Sequence, residues 1–192
     1  MQIILASSSP NRREILEMLG LRFTVDPARS ESSPAGLPPA ETVIATAEGK
    51  AAEVAPRRGG AVIIAADTMV FLDGAAYGKP RDDGEAKVFL RRLSGRTHEV
   101  YTGVALAYGE RRASFAERSE VRFRELTDAE IADYVATGEP RGRAGAYGIQ
   151  GRGAWLIEGI VGDFYNVMGL PVCRLGTALR EITEGAFNAF DT

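Results

Sequence analysis

The apolar positions of the chain fall into short blocks, each with the period of one element and each closed by glycine, proline or a polar cluster. Gln2 to Ala6 has the length and composition of a buried strand; a serine loop follows, then helical spacing over Asn11 to Leu19 that Gly20 ends. Strand, tight loop and helix make half of an α/β unit. The stretch 26–39, with Ser30, Ser32, Ser33 and several prolines, reads as an exposed loop. Residues 41–54 are alanine-rich and read as a second helix, weakened by about 1 kcal/mol at Gly49 and carrying Lys50 near its end. AVIIAA (61–66) is a continuous apolar run, the mark of a central strand buried on both faces, and it stops at Asp67. Asp73-Gly74 signals a hairpin turn, with Lys79 following on the second arm. Residues 83–93 make a helix closed by Gly95, and 98–107 with 114–126 make two longer antiparallel strands. Thr127-Asp128-Ala129-Glu130 is a capping box that opens a helix to about Thr137. GRAGAYGIQGRG leads into strand-like AWLIEGIVG, Leu170-Pro171 starts a last helix through about Glu181, and the tail from about residue 183 is expected to fray. One domain of two lobes fits this order and the length of 192 residues.

Two places break the pattern. Ser9 stands where an N-cap is wanted and Pro10 suits the first helical position, but Arg12 and Arg13 set cations at the positive end of the helix dipole. Serine hydroxyls, backbone N–H groups and guanidinium groups converging on one helix start suit phosphate oxygens. The plainer alternative has both arginines extending into water beside Glu14 and Glu17. Asp67 is the second break, because a carboxylate at the end of a buried strand has to be paired or metal-bound if it is ionised. The carboxyl ends of strands in open α/β sheets are also where ligands bind. Lys79 is placed to fold back towards Asp67, in a ligand site or in a structural ion pair.

Composition narrows the chemistry. A net charge of -3 argues against a protein that tracks nucleic acid. The run ERRASFAERSEVRFRE interleaves arginine with glutamate, so it reads as solvated strand surface and not as an RNA-binding face. The single cysteine, Cys173, excludes an intramolecular disulfide and a CxxC metal cluster, and is expected to be a small buried residue. The single histidine, His98, is too little for a histidine-rich zinc site, so any metal should be magnesium or manganese held by carboxylates and substrate oxygens. No stretch approaches the roughly 18 apolar residues of a membrane span, and a cytoplasmic location is expected. GxxxxGK[ST], GxGxxG and GxSxG are absent, which directs the reading towards non-covalent, metal-assisted phosphate chemistry.

In order along the chain, ASSSPNRREIL, AEGKA, AADTMV, GKP, AGAYGIQG and VMGLP resemble the Maf family of nucleoside triphosphate pyrophosphatases, to about Leu179. The resemblance implies an α/β fold shared with inosine-triphosphatase-like (Maf/Ham1) enzymes: a long twisted mixed sheet flanked by helices, two lobes and a central cleft. It also implies a homodimer and the hydrolysis of a nucleoside triphosphate to monophosphate and pyrophosphate with a divalent cation. Residue by residue, Ser7, Arg12 and Arg13 match the family's phosphate-contacting loop and helix start. Lys50 and Lys79 match two substrate-contacting lysines, and Asp67 the catalytic acid, as general base or as metal ligand. Glu31 stands where the family carries an acidic pair and is the other metal candidate, although Ser32 replaces its neighbour. Asn11, Thr68 and Gln150 occupy specificity positions. Thr68 and Gln150 fit the branch acting on dTTP and UTP, whereas Asn11 replaces that branch's usual arginine and keeps open a purine or modified nucleotide such as 7-methyl-GTP. Gly142-Arg143 replaces a usual Asp-Lys. Gln150 offers a donor and an acceptor that complement the O4 and N3–H edge of uracil or thymine, while Tyr147 either stacks on the base or belongs to the core. A rival from another class is a nucleotide-binding regulator, for instance of cell division.

Overall fold

The computed structural model describes residues 1–29, 34 and 36–190. Along the chain come β1 (Ile3–Leu5), α1 (Pro10–Met18), β2 (Phe23–Val25), α2 (Pro39–Val54), β3 (Val62–Leu72), β4 (Ala75–Tyr77), α3 (Asp83–Leu93), β5 (Thr97–Tyr108), β6 (Arg111–Phe123), α4 (Asp128–Ala136), β7 (Ile157–Val161), α5 (Phe164–Met168) and α6 (Val172–Ile182). The strands form one mixed seven-stranded sheet in the order β2-β1-β3-β5-β6-β7, with β4 paired to β3, and helices flank it. Contacts divide the chain into two compact units, one of Met1–Asp67, Thr102–Glu117 and Gly169–Thr192, the other of Thr68–Tyr101 and Arg118–Met168.

In the first unit, β1 is the middle strand of a parallel trio, with Leu5 opposite Val25 on one side and Ile64 on the other. Because side chains alternate along extended chain, Ile4 of β1, Ala6 just after it, and Ile63 and Ala65 of β3 fall in one core cluster, where they meet Ala47, Ala51 and Val54 of α2. The buried positions of α2 are 42, 43, 46, 47, 50, 51 and 54, a helical stripe facing the sheet. The helix approaches so closely that a Cβ at Gly103 would run into the Val43 carbonyl and lie 2.6 Å from the Ile44 nitrogen. In α6 the buried stripe is Leu175, Ala178, Leu179 and Ile182. Cys173 lies off that stripe and is exposed, contrary to the expectation of a buried residue. After α6 the Gly185 N–H bonds back to the Arg180 carbonyl, and Phe187 is buried.

In the second unit the core gathers Leu90, Leu93, Phe123, Ile131, Tyr134, Tyr147 and their neighbours. Asp73 and Gly74 both take positive φ, 52° and 76°, as a two-residue hairpin turn between β3 and β4 requires. The capping box at Thr127 is formed, with Thr127 and Glu130 each bonding the other's backbone N–H. Of the arginines of the interleaved run, Arg118 pairs with Glu99 and Glu120, Arg122 with Glu158 and Arg124 with Glu130, while Arg112 bonds the Gly109 and Arg111 carbonyls, so the run is strand surface as read. His98 is buried against the Phe123 ring and shares a 2.8 Å hydrogen bond with the Tyr147 hydroxyl. Tyr147, buried beside both rings, is therefore a core residue and not a base-stacking one.

Several details differ from the sequence reading, among them the strand read over 114–126, which the structure places at Arg111–Phe123. β3 does not end at Asp67 but runs to Leu72, because Val70, Phe71 and Leu72 are buried and pair with β4. The strand after the glycine-rich stretch starts only at Ile157, since Gly151–Leu156 winds as a 3-10 helix. Ser9 occupies the cap position of α1, but its side chain makes no capping bond; its N–H donates to Ser7 Oγ at 3.2 Å.

Two outcomes follow for stability. Gly103→Ala should destabilise by about 1–3 kcal/mol or more in urea unfolding, since backbone is what its methyl meets. Burial lowers the His98 pKa from 6.5 to about 4, so the unfolded chain takes up a proton there that the folded chain refuses. The sign is loss of stability as pH falls from about 6.5 towards 4, by up to about 3 kcal/mol. Urea unfolding of the protein and of His98→Gln at pH 7 and pH 4.5 should show that extra loss only with the histidine present.

Candidate active site

From β1 the chain passes through α1 to β2 on one side, and from β2 it crosses back through α2 to β3 on the other side of β1, so the direction of the connections reverses between β1 and β3. Such a switch point opens a crevice outside the carboxyl ends of the strands, and ligands settle there. Two pairs of sequence-predicted residues sit at this end of the first unit. Ser7 follows β1 directly, and Arg12 comes from the first turn of α1. Arg12 is buried because it shares the helix face of Ile15 and Leu16, three and four residues on. Its Nη1 donates to Ser7 Oγ and its Nε to the Gly169 carbonyl, each at 2.9 Å, so the guanidinium ties the helix start to the VMGLP segment ahead of α6. Arg13, one position round the helix, is exposed, and Asn11 is half-buried.

The second pair is Lys50 and Asp67. Alternation from Ile63 and Ala65 sends Asp67 to the face that α2 covers, and Lys50 lies in the buried stripe of that helix. The ammonium donates to Asp67 Oδ1 at 2.8 Å, with the two side chains only 8% and 18% exposed. Asp67 thus meets its cation in mid-strand, at a level β1 does not reach. Among the described residues no three histidine, cysteine or acidic side chains gather to hold a metal. Glu31, the other candidate ligand, lies outside the described residues, as do Ser30, Ser32 and Ser33. A magnesium ion bound largely through substrate oxygens needs one or two carboxylates, and Asp67 fits that demand.

Lys79, Thr68 and Gln150 belong to the second unit, Lys79 exposed and the other two half-buried. Gln150 lies in the glycine-rich stretch and its Oε1 is buried with no hydrogen-bond partner among the described residues. Arg143 likewise has a buried Nη1 without a partner, and its guanidinium lies over Gly148, where a Cβ would come 2.7 Å from Cζ. Two residues absent from the sequence reading organise this stretch. Glu139 accepts from the Arg152 and Gly153 N–H groups at 3.0 and 2.9 Å and from the Tyr134 hydroxyl at 3.0 Å. Tyr134 in turn accepts from the Gly148 N–H at 3.2 Å. Burial raises the Glu139 pKa, but the N–H groups of Gly153 and Arg152 and the tyrosine hydroxyl outweigh it and leave the carboxyl below its ordinary value. Burial raises that of Tyr134. An acid just ahead of a glycine-rich run was the available signal, and it is a weak one.

A dTTP/UTP pyrophosphatase of Bacillus cytotoxicus is 47% identical over 189 residues, 98% of this chain and 99% of that protein. Another, of Moorella thermoacetica, is 50% identical over 177 residues, 91% of each. Among solved structures, a HAM1 protein from Coxiella burnetii shares the fold with a TM-score of 0.50 at 19% identity, over 94% of this chain and 99% of that one. Residues 2–182 match the family described as Maf-like protein, and with relatives this similar along nearly their whole length the chain belongs to the Maf family.

Proposed function

We propose that this chain hydrolyses dTTP and UTP to the monophosphate and pyrophosphate. The observation that carries the reading is the Lys50–Asp67 pair, charged groups largely withdrawn from water just past the carboxyl end of β1, on the side where an α/β sheet binds its ligand. The names of the relatives supply the substrate class. In this reading Asp67, engaged by Lys50 through Oδ1, accepts a proton from the attacking water. The water oxygen adds to the α-phosphorus, and the bond to the bridging oxygen breaks as pyrophosphate leaves. Lys50 and Arg13 stabilise the phosphate charge; Arg12 fixes Ser7 and the start of α1. A magnesium or manganese ion, held by Asp67 and the triphosphate, would supply further neutralisation of that charge. Lys79 is assigned to the substrate by the family likeness, and Gln150 to the edge of the base, which its buried, unpartnered Oε1 supports.

A cytoplasmic homodimer is part of the same proposal. It rests on the likeness and on the finding that no helix among the described residues is long and apolar enough to cross a membrane.

Pyrophosphate release from dTTP, assayed with magnesium or manganese, tests the reading. Asp67→Asn keeps an acceptor for Lys50 but can neither take the proton nor hold the cation as well, so turnover should fall by about 10²–10⁴. Near-normal turnover in that variant rejects both roles. Binding of dTTP without any pyrophosphate release by the unmodified protein would favour the regulator instead.

A further inference from the structure

We infer that Glu139, acting with Tyr134, is a positioning residue for base selection, because the two side chains hold the backbone on both sides of Gln150. The inference rests on the assignment of Gln150 to the base. Two residues before Gln150, the Gly148 N–H is fixed by the Tyr134 hydroxyl; two residues after it, the Arg152 N–H is fixed by the Glu139 carboxylate, which also takes the Gly153 N–H. The Tyr134 hydroxyl donates to Glu139, so the two anchors are one connected device.

The glycines of the stretch are those this device demands. At Gly153 a Cβ would run into the Gly148 carbonyl and lie 2.8 Å from the Tyr134 hydroxyl. At Gly151, where φ is +76°, it would lie 3.0 Å from Glu139 Oε2. Between these points the chain turns from extended geometry at Gln150 into the 3-10 helix that starts at Gly151. Gln150 is thereby presented from a segment with little freedom to shift, and its Oε1 stays buried with no donor among the described residues. An acceptor held in this way suits a ligand N–H, and the N3–H of thymine or uracil is one. Glu139 itself is engaged three times within the protein and touches the base only through what it holds.

The test compares kcat/KM for dTTP and GTP in Gln150→Ala, Glu139→Gln, Tyr134→Phe and the double variant Glu139→Gln/Gln150→Ala. Gln150→Ala should lower the dTTP-to-GTP ratio. Glu139→Gln replaces an acceptor with an amide group that opposes the N–H donors, and should lower the ratio by about 10-fold, mostly through KM for dTTP. Tyr134→Phe should move it in the same direction by a smaller factor. The double variant should be no less selective than Gln150→Ala, because the clamp matters only through the glutamine. A ratio unchanged in both Glu139→Gln and Tyr134→Phe while Gln150→Ala loses selectivity overturns the clamp alone. Multiplying losses in the double variant, or equal loss of kcat for both nucleotides, also overturns it as a purely structural effect. A ratio unchanged in Gln150→Ala removes the base assignment and the clamp with it.

Discussion

The Lys50–Asp67 ion pair is the interaction on which the proposed chemistry of the first unit depends. A lysine in the buried stripe of α2 and an aspartate in mid-strand each lose water on folding, and attraction between them offsets that loss only when geometry is good. Well-packed apolar side chains at both positions would serve stability at least as well. The surroundings nevertheless bring the charges together: strand alternation aims Asp67 at α2, and Gly103 lets the helix sit close enough for Lys50 to reach it. The proposed function gives a reason for such a pair, since a triphosphate needs cations and its hydrolysis needs a carboxylate at the reacting phosphorus.

Arg12 shows how one residue organises the site through bonds within the protein. Sequence alone makes it a cation at a helix start, ready for phosphate. In the fold its Nε and Nη1 are bound to Gly169 and Ser7, so it anchors the loop after β1, and the exposed cation of that turn is Arg13. Spacing carried this distinction, because Arg12, Ile15 and Leu16 lie on one helix face and Arg13 does not.

Local patterns were therefore legible wherever one residue type decides the backbone. Asp73-Gly74, the capping box at Thr127 and the helix 83–93 with Gly95 after it all stand as read. What escaped depends on partners distant in sequence. The extension of β3 beyond Asp67 rests on pairing with β4, β2 is a strand of three residues held by β1, and the exposure of Cys173 follows from which face of α6 the core takes. The roles of Glu139 and Tyr134 were hidden for the same reason: their contacts lie 5 to 14 residues away, within a glycine-rich segment whose shape no period predicts.

If the buried pair is kept for catalysis and not for the fold, removing both charges at once should leave the protein intact. Urea unfolding of the double variant Lys50→Met/Asp67→Leu measures this directly. The expected result is a stability equal to or above that of the unmodified protein. A loss of about 3 kcal/mol or more would contradict it and make the pair a structural strut.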